Sequence, residues 1–583
     1  MESHTLFAGV ALLTLAAPFE LTEPLLRLPR QSVSSLETAI LVAFAGWGVV
    51  LVASRRVPEW RTPLTLPWAT LLLAMFVASI ASPVSRVNAL HMTGRLASAF
   101  GVYLLAVNGI TTHARLRIVL SLAVVIGVVV SILAILEYLG VRPVLAWLTA
   151  FRPNVATVGA LVRAGGPLQY PTIASMYLEV VFAFGLGLLL AELDVPRASR
   201  ALRVSVLFLA LAIVGEGITV TFTRAGLITM AVSAAFVGGI RVASRGVDAG
   251  VRLIVALTIV IIALVLSSRS AQSLWLRVTS EGQDAWYRVS VSAPAELELR
   301  TGENTLVPVG VTNTGRLAWD STADSPILFS YHWRPADGDR FVTFNGARTP
   351  FLSRVEPGAT TAIDARVRPP RQPGRYRIEW DVVQEGRLWF STEPGAAHQV
   401  SGVTVVGDAS DAPPLATSAP PKLTVRPGRV DLWRAAARMV AAHPLLGVGP
   451  DNFRLSYGRY AGIASADPRT HSNNMYLEML AGGGLIVGAA FAWLLWRAGR
   501  LAAASLRFCR DATRAASNEP PRSADASRMA ATAGIVAATL AIAVHATVDS
   551  FLSFAPTYVL FSLTLGCAVA CARGMESPLA HRV

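Results

Sequence analysis

The most regular feature of the chain is a series of long apolar segments separated by short polar segments. An α-helix of roughly 18 to 25 apolar residues is long enough to cross the hydrocarbon core of a bilayer, so each such segment is predicted to span a membrane. About twelve segments are interpreted as such spans. They lie near residues 5–21, 37–53, 64–81, 92–110, 118–139, 172–193, 202–220, 225–242, 253–266, 476–496, 529–547 and 555–572. The pattern predicts an α-helical polytopic membrane protein, with helices 1 to 9 in residues 1–267 and helices 10 to 12 in residues 476–583.

A different periodicity appears between the ninth and tenth apolar segments. From residue 285 to residue 406, apolar and polar positions alternate, as at Val307, Val309 and Val311, and turn sequences such as Pro-Gly separate the alternating runs. Alternation with a period of two predicts half-buried strands, and the regular turns favour an Ig-like β-sandwich. Trp333 and Trp380 are expected in its core, with a scaffold role preferred over sugar binding. A Pro-rich linker at 407–428 and a membrane-proximal segment at 429–475 follow.

Composition and charge agree with this organisation. A chain that is 53% hydrophobic and 15% charged is too apolar for a soluble enzyme. The net charge of +14 is dispersed over alternate short loops, which are expected to be cytoplasmic because such loops are enriched in basic residues. Both termini are then cytoplasmic, the sandwich and residues 429–475 lie outside the cytoplasm, and no nucleic-acid partner is expected. The three cysteines, Cys509, Cys567 and Cys571, imply no disulfide framework.

Residues suited to phosphate chemistry are concentrated between residues 429 and 484. Arg429 precedes Trp433 by one helical turn, the sequence His443-Pro-Leu-Leu-Gly-Val-Gly-Pro450 follows, and His471-Ser-Asn-Asn474 comes just before the tenth apolar segment. A guanidinium stays charged and binds phosphate with two parallel hydrogen bonds, whereas the pKa of histidine lies near neutrality. The segment therefore has the groups needed to hold a phosphorylated lipid at a bilayer edge and to move a proton there.

These motifs resemble the O-antigen ligase and polymerase family, over most of the membrane portion but not the sandwich. The resemblance implies a glycosyltransferase in the bacterial inner membrane that transfers a glycan, at the outer face, from a polyprenyl-pyrophosphate carrier to the hydroxyl of a glycan or lipid-linked acceptor. Membrane lipids are the other expected partner. No cofactor and no metal are expected, and Asp337-Gly-Asp339 is interpreted as a turn between strands.

The resemblance also assigns catalytic roles to three residues. Arg224 stands where the family has a Ser-Arg-Gly motif, Arg429 is the family's arginine before the His-Pro-Leu-Leu-Gly stretch, and His471 is the proton acceptor. The family often places a histidine directly before the asparagine that precedes a Tyr-Leu pair, where this chain has Asn473. Whether His471 or Asn473 holds the histidine's role stays open, as does the choice of pyrophosphate ligand among Arg224, Arg429 and Arg438.

Further residues are predicted to contact substrate. They are Arg163 and Tyr170 in a glycine-rich loop, Arg438, Asn473, Asn474, and Asp549, which follows His545 by one helical turn.

Three kinds of alternative function remain at this stage. Within the same superfamily, the chain is either a ligase, which we favour, a repeat-unit polymerase or a protein O-oligosaccharyltransferase. A transporter of a lipid-linked or anionic solute would require ionisable residues near the middle of several spans, or discontinuous helices in two related halves. In the third alternative the sandwich is the working part and the helices are an anchor, for which twelve spans would be excessive.

Overall fold

The computed structural model describes residues 2–28, 31–55, 57–152, 156–158, 161–194, 199–266, 286–323, 326–385, 388–392, 399–408, 427–463, 466–515 and 523–573. These residues form two compact units. The first comprises residues 1–156, 162–279 and 425–583, and the second residues 157–161 and 280–424. The predicted linker at 407–428 lies almost entirely outside the described residues.

The first unit is helical. Its helices are α1 (Glu2–Ala16), α2 (Ser35–Ser54), α3 (Thr65–Ile80), α4 (Arg86–Gly109), α5 (His113–Tyr138), α6 (Arg142–Leu148), α7 (Pro171–Asp194), α8 (Arg200–Thr219), α9 (Arg224–Arg245), α10 (Val247–Leu266), α11 (Arg429–Ala442), α12 (Phe453–Ala461), α13 (Met475–Ala515), α14 (Ser523–His545) and α15 (Ala555–Arg573). The chain also has two short strand pairs, β1 (Leu26–Leu28) with β2 (Gln31–Val33), and β3 (Ala156–Val158) with β4 (Leu161–Arg163).

Ten of the described helices are long and apolar enough to cross a membrane: α2, α4, α5, α7 to α10 and α13 to α15. The two other predicted spans correspond to shorter apolar helices, His4–Ala16 within α1 and Thr65–Ile80, which is α3. The prediction of a polytopic helical membrane protein is confirmed.

Helix α7 is buried along nearly its whole length. It packs against α5, α8, α9, α14 and α15. Its closest approach to α14 occurs where Gly187 meets Gly534, because a Cβ atom on Gly187 would lie 2.8 Å from the Cα atom of Gly534. Small residues at such crossings let helix backbones approach closely in a membrane, where van der Waals packing drives association. The glycine pair therefore fixes the central crossing of the bundle.

A buried polar contact joins the same helices near one end of the bundle. The Oε2 atom of Glu179 in α7 accepts hydrogen bonds from Oγ1 of Thr229 in α9, at 2.6 Å, and from Nδ1 of His545 in α14, at 2.8 Å. Glu179 and His545 are almost completely buried. Because an unpaired charge is costly in an apolar interior, this contact holds three helix ends in one arrangement.

The second unit contains two β-sheets. Its strands are β5 (Val289–Ser292), β6 (Glu296–Arg300), β7 (Thr305–Asn313), β8 (Ile327–Pro335), β9 (Thr349–Pro350), β10 (Thr360–Val367), β11 (Gly374–Gln384), β12 (Leu388–Trp389) and β13 (Gln399–Val406). One sheet has the order β10-β7-β5, and the other the order β6-β13-β11-β8-β9, with β12 paired to β11. Burial alternates along β7 and β10, and Trp319, Trp333 and Trp380 are buried. The sheets partly support the predicted sandwich, while its Ig-like character stays a prediction.

The glycine crossing gives a stability prediction. Replacing Gly187 by leucine would force α7 away from α14, so we expect a loss of about 3 kcal/mol and a lower thermal midpoint in detergent. Gly239→Leu is the matched control, because Gly239 in α9 has open space where its side chain would lie. Equal midpoints for the two variants in a thermal unfolding assay would contradict the assignment of the crossing.

Candidate active site

Helix α11 begins the segment that carries the predicted chemistry. No glycine or proline interrupts it, and its buried residues Leu432, Ala435, Ala436 and Met439 recur at helical spacing. This apolar stripe packs against α12 and α13. Arg429, the first residue of α11, is exposed. The helix therefore lies on its neighbours by one face and presents its arginines on the other.

The segment from His443 to Pro450 forms a turn that lies against a break in α13. Helix α13 is interrupted at Gly484, whose backbone has φ of 64°. On one side of the break, Leu485 N donates to Pro444 O at 2.8 Å. On the other, Val448 N donates to Ala481 O at 2.9 Å and Gly449 N donates to Gly482 O at 2.8 Å.

These bonds satisfy backbone groups that a broken helix would otherwise leave unpaired at membrane depth. The glycines of this motif allow its backbone to lie close to the backbone of α13. Gly447 and Gly449 have positive φ values of 63° and 99°, and a Cβ atom on Gly447 would lie 2.5 Å from Ala481 O. The conformation is one that glycine adopts without steric cost. The motif thus packs against the Gly482-Gly483-Gly484 sequence and forms hydrogen bonds on both sides of it.

Asn452 fastens this segment to the loop between α3 and α4. Its Nδ2 atom lies 2.9 Å from Ser82 Oγ, 2.9 Å from Ser85 O and 3.1 Å from Val448 O, and its Oδ1 accepts from Nδ2 of Asn88 at 2.9 Å. The side chain is fully buried. Every polar atom of this buried amide has a partner, so the loop that follows is held in a fixed position.

A polar cavity of about 660 Å³ lies beside this segment, at one end of the helical unit. Its charged lining residues are Glu20, Glu37, Arg95, Asp451, Arg454, Arg469, His471 and Asp549, and its other lining residues include Gln169, Tyr170, Thr172, Asn473 and Phe554. The wall includes the starts of α2, α7 and α15 and the loop that follows α14. These are the helix ends that the predicted topology assigns to the outer face.

His471 stands between two carboxylates at the wall of this cavity. Its Nδ1 atom lies 3.5 Å from Oε1 of Glu478 and 3.9 Å from Oδ1 of Asp451, and its side chain is 18% exposed. Burial alone would lower the pKa of His471, but the hydrogen-bonding and charge effects of Glu478, with the charge of Asp451, outweigh burial and raise it. The three donor atoms lie within 4.8 Å of one another, so these residues have the spacing to hold a metal ion.

Three arginines line the cavity. Arg454 donates from Nε to Oδ2 of Asp451 at 2.9 Å and from Nη2 to Oδ1 of Asn88 at 2.6 Å. Arg469 contacts both oxygens of Asp467 at 3.0 Å. Arg95 is exposed on the membrane-length helix α4, and its guanidinium donates no hydrogen bond to any residue that the structure describes. Arg95 is therefore the cavity arginine whose donors remain available to an anion.

The structure brings four of the predicted site residues into the cavity: Tyr170, His471, Asn473 and Asp549. Asn474 instead lies at the start of α13, where its Oδ1 accepts from Leu477 N at 3.0 Å. Arg438 donates to Tyr460 O at 2.7 Å. Neither residue lines the cavity, and their predicted contacts with substrate remain predictions.

The other predicted arginines lie outside the cavity lining. Arg224 is the exposed first residue of α9. Arg163 donates to Thr221 O at 3.1 Å and to Thr223 Oγ1 at 3.4 Å, just before that helix start. Arg429, the exposed first residue of α11, is likewise absent from the cavity lining.

Five residues of the site were missed in the sequence: Arg95, Asp451, Arg454, Arg469 and Glu478. Arg95 is recognisable from the sequence as a charged residue inside the apolar segment 92–110. A charge inside a membrane-length helix marks a functional position by default. Asp451 directly follows the motif that ends at Pro450, and Glu478 lies one helical turn after Asn474. They gave no separate signal, because their significance depends on the position of His471.

The fold and the cavity define a multi-pass helical membrane protein with a polar, charged site at one end of its helices. Residues 413–492 match the protein family described as Wzy_C, O-antigen ligase. The match spans α11, the turn at 443–450, His471 and the break at Gly484, and it supports the O-antigen ligase family for this chain. No curated protein matches the chain. A membrane glycosyltransferase-type function in O-antigen or lipopolysaccharide assembly is supported at this level.

The break in α13 gives a prediction for the site. In Gly484→Ala, a Cβ atom at positive φ would overlap the backbone of Leu445, so we expect the turn to be displaced and glycan transfer to fall about tenfold or more. Gly499→Ala, in open space of the same helix, is expected to leave transfer unchanged. The measurement is transfer of carrier-linked glycan by equal amounts of each purified variant. Full activity of Gly484→Ala would show that the turn does not position the site.

Proposed function

We propose that this protein is an O-antigen ligase-like glycosyltransferase that transfers a glycan from a polyprenyl-pyrophosphate carrier to an acceptor hydroxyl. The observation that carries the proposal is the placement of His471 and three arginines around one cavity at the ends of membrane-length helices, within and beside the segment that matches the family. The acceptor is lipopolysaccharide core or another glycan. The same site would suit a repeat-unit polymerase or a protein O-oligosaccharyltransferase.

Arg95 is the proposed principal ligand of the pyrophosphate. It lies in α4, three residues after the start of the predicted span at 92–110 and so close to the outer end of that span. A lipid carrier keeps its tail in the bilayer, so its pyrophosphate needs a cation near the bilayer edge. Arg95 meets that need on a helix that is itself membrane-length. Its charge also stabilises the negative charge that accumulates on the leaving pyrophosphate.

His471 is the proposed proton acceptor for the attacking hydroxyl. The acceptor oxygen forms the new bond to the anomeric carbon, the bond from that carbon to the pyrophosphate oxygen breaks, and the proton of the hydroxyl passes to the imidazole. Asp451 and Glu478 hold the ring and favour its protonated form. Asn473, whose φ is 51°, also lines the cavity and is proposed to position a sugar hydroxyl.

Arg224 and Arg429 keep their proposed roles in carrier binding, although neither lines the cavity. Their support is the family resemblance, and Arg429 also lies within the residues that match the family. We propose that the site faces the outer side of the inner membrane and that both termini are cytoplasmic. This orientation follows the distribution of basic residues over the predicted loops.

The proposal predicts the effect of two substitutions. Arg95→Ala and His471→Ala are each expected to reduce transfer about 100-fold or more, because the first removes charge stabilisation and the second the proton acceptor. Arg434→Ala is the control, since Arg434 lies on the exposed face of α11 and pairs only with Asp431, at 3.2 Å. Transfer is measured with purified carrier-linked glycan and equal amounts of folded protein. Near-normal turnover in both variants would overturn the site assignment.

The second prediction separates the possible acceptors in the cell. In a deletion strain, a ligase predicts long polymer on the lipid carrier and none on the final acceptor, whereas a polymerase predicts an acceptor that carries a single repeat unit. A surface-glycan gel and an extraction of the carrier pool measure both. If neither changes in a strain without a redundant homologue, the proposed function is wrong.

A further inference from the structure

We propose that Glu20, Gln169 and Tyr170 form a subsite for the sugar ring that is joined directly to the pyrophosphate of the carrier. The inference rests on the proposed function and names the part of the donor that the cavity recognises besides its pyrophosphate. All three residues line the polar cavity that also contains Arg95 and His471. At about 660 Å³ the cavity lies within the roughly 300–1,000 Å³ of small-molecule sites, which leaves room for a sugar beside a pyrophosphate.

Glu20 is a buried carboxylate with acceptor capacity left over. The residue is only 9% exposed, and the hydrogen bond that it accepts from Nε2 of Gln169 is long, at 3.4 Å. The Ser34 side chain is its other hydrogen-bonding neighbour. An ionised carboxylate can accept about four hydrogen bonds, and burying it without enough donors costs free energy. The hydroxyl or amide N–H groups of a sugar in the cavity would supply the missing donors.

Gln169 and Tyr170 add the other groups that recognition of a sugar requires. A side-chain amide has two N–H donors and an acceptor oxygen, so Gln169 can bond to Glu20 and also to a ligand. Tyr170 is 49% exposed within this polar lining. Its ring offers an apolar face with a polar hydroxyl at one end, against which the C–H face of a pyranose can pack. The three side chains thus match a ring that has hydroxyl groups on its edge and C–H groups on its face.

Charge separates this subsite from the ligands of the pyrophosphate. A carboxylate repels a phosphate, so Glu20 is unsuited to hold the pyrophosphate itself. Arg95, whose donors are available to an anion, lines the same cavity. A ligand that joins an anion directly to a ring with hydrogen-bond donors satisfies both residues. In a carrier-linked glycan, that ring is the first sugar.

Hydrogen bonds to neighbouring segments hold both loops of the subsite in place. In the loop between α1 and α2, Thr22 N donates to Ala150 O at 3.0 Å. In the loop before α7, the amide groups of Gly165 and Gly166 donate to Oε2 of Glu137 at 3.0 and 2.9 Å. Loops that are fixed before binding lose less conformational entropy when a ligand binds. The subsite is therefore preorganised, and its contacts can contribute to selectivity.

The test compares lipid pyrophosphates that differ only in the group on the terminal phosphate. The full-length protein in detergent is titrated by calorimetry with farnesyl pyrophosphate that carries a methyl cap, a glucose or an N-acetylglucosamine. The cap keeps the charge of the three probes equal. We expect at least one glycosylated probe to bind about tenfold more tightly than the capped probe, because a hydrogen bond to a charged group favours the sugar.

Substitutions then assign this preference to residues. Glu20→Gln retains the size of the side chain but removes its charge, and we expect it to narrow the difference between the probes to about twofold or less. Tyr170→Ala should narrow it as well, whereas Arg95→Ala should weaken the binding of all three probes. Glu23→Gln is the matched control and should retain the preference, because Glu23 is a carboxylate of the same loop that is 77% exposed and outside the cavity lining.

The outcomes separate the subsite from the proposed function. Equal affinities of the unmodified protein for the capped and glycosylated probes would overturn the subsite and leave pyrophosphate binding in place. A preference that survives in both Glu20→Gln and Tyr170→Ala would also overturn it. Failure of every probe to bind would overturn the proposed function together with the subsite. The comparison of probes uses the unmodified protein, so it stays decisive if a variant fails to fold.

Discussion

The site depends on the backbone hydrogen bonds between the turn at 443–450 and the break in α13. A membrane-length helix that breaks at Gly484 exposes amide and carbonyl groups that lipid cannot satisfy. The turn supplies carbonyl oxygens to one side of the break and amide groups to the other. It thereby holds the part of α13 that precedes the break, which carries Glu478. The break in α13 joins this helix to the turn at 443–450. Among the described helices, α13 is the one that is interrupted in this way.

Polar contacts organise the rest of the helical unit around this joint. Asn452 ties the turn to the α3–α4 loop through Ser82 and Ser85, and to α4 through Asn88. Glu179 ties α7 to α9 and α14 through Thr229 and His545. Each contact satisfies groups that would otherwise be costly to bury, so each is more stable made than broken. Together they place loops from distant parts of the sequence around one cavity.

The cavity combines groups of opposite charge, and that mixture bears on its chemistry. Arginine stabilises an anionic leaving group, and histidine accepts and releases a proton near neutral pH. The carboxylates of Asp451 and Glu478 stabilise the protonated form of the His471 imidazole.

Hydrophobic periodicity and short motifs are local properties of the sequence, and they predicted the membrane class, the approximate spans, the strand-forming region and the resemblance to the O-antigen ligase family. The sequence also identified His471, Asn473, Tyr170 and Asp549, which the structure places together in the cavity. Three features depend on tertiary contacts. The His-Pro-Leu-Leu-Gly motif bonds to the break in α13, Arg95 lines the cavity, and His471 pairs with Asp451 and Glu478. Helix α12 separates Asp451 from His471 in the sequence, and Arg95 lies far before both of them. Contacts over such separations leave no periodic trace, because they arise from the packing of helices and not from the conformation of any one of them.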